Sequence, residues 1–104
     1  MMRVILACAL LTGAALPVSE MILASDASVD KMEVHFIDVG QGDSTLITCG
    51  GSSMLIDAGD DSKGTAIQNY LQKQKVKKLD YLVLTHPDAD HIGGAPVILT
   101  KFEI

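Results

Sequence analysis

The run Thr85-His86-Pro87-Asp88-Ala89-Asp90-His91-Ile92-Gly93-Gly94 places four metal-capable side chains, His86, Asp88, Asp90 and His91, within six positions. Imidazole nitrogen and carboxylate oxygen are the donors that hold zinc, manganese or iron. The run follows an apolar stretch and closes on two glycines, so it reads as a loop at a strand end. In an extended or turning loop, positions 86, 88 and 90 can converge on one side, with His91 reaching round from the other. Two ions about 3.5–4 Å apart could then share the loop. Such ions lower the pKa of a coordinated water towards ~7, which supplies a nucleophile for a carbonyl or phosphorus centre. The ordinary alternative is a polar loop whose histidines cap backbone groups. It accounts for one histidine readily, and for two histidines with two aspartates poorly.

A scaffold must hold that loop, and the residues before it suggest one. Glu33 to Val39, Ser44 to Cys49 and Ser53 to Asp57 are short runs rich in β-branched and apolar residues. They read as strands of a β-meander. Gly40-Gln41-Gly42-Asp43 and Gly50-Gly51 are the turns between them. His35 reads as a strand-face residue, and Cys49 as a packing residue at a strand end. From Thr65 to Gln74 the period changes. Ala66, Ile67, Tyr70 and Leu71 fall three and four apart, which predicts one face of a helix. Ser62 is its expected N-cap. Lys73, Lys75, Lys77 and Lys78 read as its solvated end, where positive charge suits the helix dipole. Leu79 to Thr85 predicts a strand buried on both faces, and the helix before it fits a βαβ layer. Ala95 to Lys101 predicts another helix, with Pro96 in the first turn. The fold class is α+β.

The chain has 104 residues and a formal net charge of −5. That length allows one domain at most. The acidic balance excludes a nucleic-acid binder that works through a basic surface. It does not exclude an enzyme that meets phosphates through metal ions. Val4 to Leu16 is an apolar run behind Arg3, and Pro17 and the small residues Ala24, Ser25, Ala27 and Ser28 follow it. This is the layout of an export signal, with cleavage expected after Ala24 or Ala27, or of an N-terminal anchor. A buried core helix is the weaker alternative, because the run has no polar face. Residues 1–27 are therefore read as leader, and residues 28–104 as the domain. Past the leader only Cys49 remains, so an internal disulfide is excluded.

The histidine–aspartate run resembles the His-x-His-x-Asp-His signature of the metallo-β-lactamase superfamily, with Asp88 where the second histidine usually stands. Phe36-Ile37-Asp38-Val39-Gly40-Gln41-Gly42-Asp43-Ser44 resembles the segment of the branch that contains the C-terminal domain of the competence protein ComEC. Leu55-Ile56-Asp57-Ala58-Gly59 resembles the strand-end Asp-x-Gly element of the same fold. The three runs keep the family's order, and the resemblance spans Met32 to Ile104.

The resemblance implies an αββα sandwich, of which this chain would hold the first half. His86 would ligate a first metal ion, and Asp90 and His91 a second. Asp90 would also position the nucleophilic water and so count as catalytic. Asp88 as a ligand would add negative charge and favour harder ions such as manganese. Asp57, with Gly59 beside it, would hydrogen-bond and orient the ligand loop. Gly40, Gly42 and Asp43 would shape a turn at the site. One or two zinc ions are the implied cofactor, with manganese or iron as alternatives. Phosphodiester or nucleic-acid hydrolysis is the implied activity, in an exported protein. The family's later ligands, two histidines and a bridging aspartate, would come from a missing C-terminal half, since only Glu103 follows His91 as a candidate. The 104 residues alone are then expected to turn over little. A metal-binding remnant without catalysis and a di-iron oxidoreductase on the same fold are the competing readings.

Overall fold

Three of the expected strands form an antiparallel meander in the computed structural model, which describes residues 29–104. β1 (Met32–Phe36), β2 (Thr45–Cys49) and β3 (Ser52–Ile56) pair in chain order. Successive side chains on a strand point to opposite faces, so the register sorts the residues into rows. His35, Leu46 and Leu55 share one row, and Val34, Ile47 and Met54 share the next on the opposite face. Leu46 and Leu55 are fully buried, whereas Val34 and Phe36 are exposed. The helices therefore cover the His35–Leu46–Leu55 face.

α1 (Gly64–Lys73) carries the chain from β3 to β4 (Tyr81–Val83), which joins β3 in parallel and completes the order β1-β2-β3-β4. Parallel neighbours need such a crossover. After β4 come α2 (Ala89–Ile92) and α3 (Ala95–Lys101). Leu46 and Leu55 from the sheet, Ile67 and Leu71 from α1, Leu79, and Ile98 from α3 are the largest fully buried side chains. Glu103 then bridges to Lys78, where its carbonyl accepts a hydrogen bond from the Leu79 N–H at 2.9 Å. Among the described residues no helix is long and apolar enough to cross a membrane.

Several expectations need correction. β4 is three residues long, and its apolar residues are not buried on both faces. Tyr81 and Val83 are exposed because helices cover one face of the sheet only, and Leu84, also exposed, lies past the strand's end. Ser62 does not cap α1. Its N–H and hydroxyl both turn back to the Asp60 carboxylate, at 2.8 and 2.6 Å, and Lys63 takes the cap position without a side-chain bond. Ala66 is exposed, and Gly64 joins Ile67 and Leu71 on the buried stripe instead. Cys49 is exposed, not packed, since its strand position puts it on the uncovered face beside the Gly50-Gly51 turn. The loop expected over His86 to His91 is helical in its second part, because the Asp88 carbonyl accepts hydrogen bonds from the N–H groups of His91 and Ile92. The leader expected over residues 1–27 lies outside the described residues.

Candidate metal centre

The site is built at the end of β3. Asp57 takes a φ of 59° there, a left-handed conformation that aspartate adopts more readily than most residues. Its N–H still pairs with the Val83 carbonyl at 2.8 Å, so the kink follows directly on the sheet. The side chain is buried, at 3% exposure. One carboxylate oxygen, Oδ1, accepts the Thr85 N–H at 2.8 Å. The other, Oδ2, accepts the Thr85 hydroxyl at 2.6 Å and meets Nδ1 of His91 at 2.9 Å. Burial pushes this carboxyl up, but the bonds from Thr85 and His91 outweigh it and hold it below the usual carboxylate range.

His86 follows β4, and His91 stands on α2. Nδ1 of His86 lies 2.9 Å from the Thr85 hydroxyl. The two rings are neighbours, with centroids 3.8 Å apart and planes tilted by 49°. One donor atom from each of Asp57, His86 and His91 lies within 4.8 Å of the others. The bond to Asp57 raises the His91 pKa; burial opposes this, and the charges of Asp90, Asp57 and Asp43 add to it.

The remaining expected site residues stand around this pair. Oδ2 of Asp88 is 3.4 Å from Nε2 of His86, on a side chain that is 72% exposed. Oδ1 of Asp90 is 3.8 Å from Nε2 of His91. Oδ2 of Asp43 is 3.8 Å from Nδ1 of His91 and largely in solvent. The tight three-residue cluster thus joins the two histidines with Asp57, while Asp88 and Asp90 flank it. Asp57 has its oxygens engaged by Thr85 and His91, so it holds the histidines in place. Two adjacent imidazoles ringed by carboxylates make a donor set that suits a divalent cation of the zinc, manganese or iron type.

Backbone contacts lock the loops together. The Ala58 N–H bonds the His91 carbonyl at 2.7 Å, and the Gly59 N–H bonds the Asp43 carbonyl at 3.0 Å. The Gly94 N–H reaches the Gly59 carbonyl at 3.2 Å, and a Cβ at Gly94 would overlap the Ala58 carbonyl. The turn at Gly40, Gly42 and Asp43 is thereby pressed onto the ligand loop. Thr85 is the residue that the motif reading passed over. Its position directly before His86, at the end of a strand parallel to the one that delivers Asp57, was the available signal.

The sequence pattern of the metallo-beta-lactamase superfamily matches residues 37–104, which hold the whole cluster. The chain belongs to this superfamily. Members of the metallo-β-lactamase superfamily bind metal ions, in agreement with the cluster at Asp57, His86 and His91. Recombination protein 2 of Haemophilus influenzae is 36% identical over 86 residues, covering 78% of this chain and 11% of that protein. ComE operon protein 3 of Bacillus subtilis is 33% identical over 90 residues, covering 69% of this chain and 12% of the relative. Competence protein ComA of Neisseria gonorrhoeae is 41% identical over 58 residues, covering 55% and 8%. The chain spans about a tenth of the length of these curated relatives. Their names agree with the resemblance of the Phe36–Ser44 run to the ComEC branch. No solved structure matches the chain.

Proposed function

We propose that this protein supplies the metal-binding loop of a phosphodiester hydrolase that acts on DNA outside the cytoplasm. The observation that carries the reading is the pairing of His86 and His91 over the buried Asp57 carboxylate, on a metallo-β-lactamase scaffold. The competence and recombination names of the relatives support DNA as the substrate. The layout of residues 1–27 supports export. A bound zinc or manganese ion would polarise a phosphoryl oxygen and acidify a water. His86 and His91 would hold that ion, with Asp88 at the His86 side. Asp90, half-buried beside His91, would orient the water and accept its proton. Asp57 would keep His91 aimed. With a net charge of −5 the protein surface does not attract a polyanion, so the phosphates would be met at the ions.

The test uses protein purified from its native source, freed of metal, and titrated with Zn²⁺, Mn²⁺ and Fe²⁺. Cleavage of single- and double-stranded DNA and of a simple phosphodiester is then followed. Zn²⁺- or Mn²⁺-dependent cleavage is expected in an exported fraction, with little turnover by the 104 residues alone, and His86→Ala and His91→Ala should each lower metal affinity by at least about tenfold. Tight iron without cleavage would move the protein to the oxidoreductase reading. Absence of metal binding, cleavage that survives His86→Ala, or protein confined to the cytoplasm would each overturn the corresponding part.

A further inference from the structure

We propose that Thr85 is a positioning residue: the Asp57 carboxylate sets which nitrogen carries the proton, directly for His91 and through the Thr85 hydroxyl for His86, and so turns Nε2 of both rings into metal donors. The assignment rests on the metal reading of the site and follows from counting protons. A threonine hydroxyl has one hydrogen to give and lone pairs to accept with, and an ionised carboxylate only accepts. Oγ1 of Thr85 lies 2.6 Å from Oδ2 of Asp57, so the hydroxyl hydrogen must lie between them. Without it, two lone-pair oxygens would face each other at that distance. The hydroxyl can then only accept from His86, whose Nδ1 is 2.9 Å away, so that nitrogen carries the proton. Nδ1 of His91 faces the same Oδ2 at 2.9 Å and carries its proton for the same reason. Nε2 of each ring keeps its lone pair.

The network acts against the intrinsic preference. A free neutral histidine in water favours the proton on Nε2, the tautomer that offers Nδ1 as donor. One buried carboxylate here reverses that choice twice, directly for His91 and through Thr85 for His86. The Thr85 N–H on Oδ1, at 2.8 Å, holds the carboxylate in place for both tasks. Outer partners of metal ligands commonly work in this way, by fixing tautomer and ring orientation.

Nitrogen-15 NMR of the histidine rings reads the tautomers directly in metal-free protein, at a pH of about 9, where an ordinary histidine is neutral. Both His86 and His91 should be Nδ1–H in the parent protein. Thr85→Val keeps the shape at an exposed position and removes the hydroxyl. It should shift His86 towards Nε2–H, leave His91 as Nδ1–H, and weaken Zn²⁺ or Mn²⁺ binding by about tenfold or more. Thr85→Ser should restore the His86 tautomer and bring affinity back to within about threefold of the parent. An Nε2–H His86 in the parent protein, an unchanged His86 in Thr85→Val, or no recovery in Thr85→Ser would each overturn the assignment. The parent spectrum needs no variant to fold. Parent protein with both rings Nδ1–H but no affinity for Zn²⁺ or Mn²⁺ would instead refute the metal reading and leave the proton arrangement standing.

Discussion

A side chain at position 42 would run into the carbonyl oxygen of Asp90, so the turn before β2 and the ligand loop can close on each other only over a glycine. Gly40 in the same turn provides the control. Both glycines have positive φ, 73° at Gly40 and 100° at Gly42, yet nothing lies within 4 Å of a Cβ placed on Gly40. Gly40→Ala should therefore show only the backbone cost of a left-handed residue, about 1–2 kcal/mol. Gly42→Ala should show that cost and also displace Asp90, with weaker metal binding as the distinguishing loss. Denaturant unfolding and metal titration of the two variants separate the effects. Equal metal affinity in both would show that the Gly42 contact does not position Asp90. At this scale the crowding of histidines and aspartates at positions 86–91 is visible along the chain, and Asp57 stood out through the resemblance of its strand-end run. Thr85 did not, because its role depends on a carboxylate 28 positions away.

Among the elements, the register between β3 and β4 is held by a polar clamp. The Ser53 N–H donates to Oδ2 of Asp80 at 2.8 Å, the Asp80 N–H returns to the Ser53 carbonyl at 2.8 Å, and the Ser53 hydroxyl bonds the Lys78 carbonyl at 2.7 Å. The Ser53 N–H beside it holds the Asp80 carboxyl below its ordinary range; burial opposes this, and Lys78 assists. A group lowered in the folded state stabilises above its unfolded pKa, near ~3.9 for aspartate, and loses that contribution as pH falls through the folded value. Asp80→Asn should therefore lower stability at pH 7 and lower it less at pH about 3. Urea unfolding at the two pH values checks this, and a gap that widens in acid would refute it. The meander was legible from its β-branched and apolar runs between glycine turns, α1 from its spacings of three and four, and α3 from Pro96 in its first turn, all of them local properties. The length of β4 and the helical turn of α2 were not. Both depend on partners, the single covered face of the sheet for β4 and the Asp88 carbonyl for α2.

For the molecule as a whole, the two faces of the sheet are unequal in energy although both carry large apolar residues. Leu55 is fully buried against the helices, and Phe36 is 84% exposed on the opposite face. Leu55→Ala should cost about 2–5 kcal/mol through lost burial and the cavity left behind. Phe36→Ala should stay within about 0.5 kcal/mol. Chemical denaturation measures both, and a comparable loss at Phe36 would show that this face is covered in solution. By itself the sequence determined the α+β class, the order of the strands with α1 and α3, the superfamily, and which residue types near the strand end are capable of binding a metal ion. The class, the elements and the residue types follow from local type, spacing and patterning, and the superfamily from the resemblance of three motifs; none of these needs knowledge of distant contacts. Only the tertiary structure decided which donors meet. Asp57 and the histidines come together because parallel pairing of β3 with β4 sets Asp57 beside Thr85, and the backbone bond from Ala58 to His91 closes α2 over them. It also decided which apolar strand residues are core, because burial depends on which face the helices cover, and composition does not record that choice.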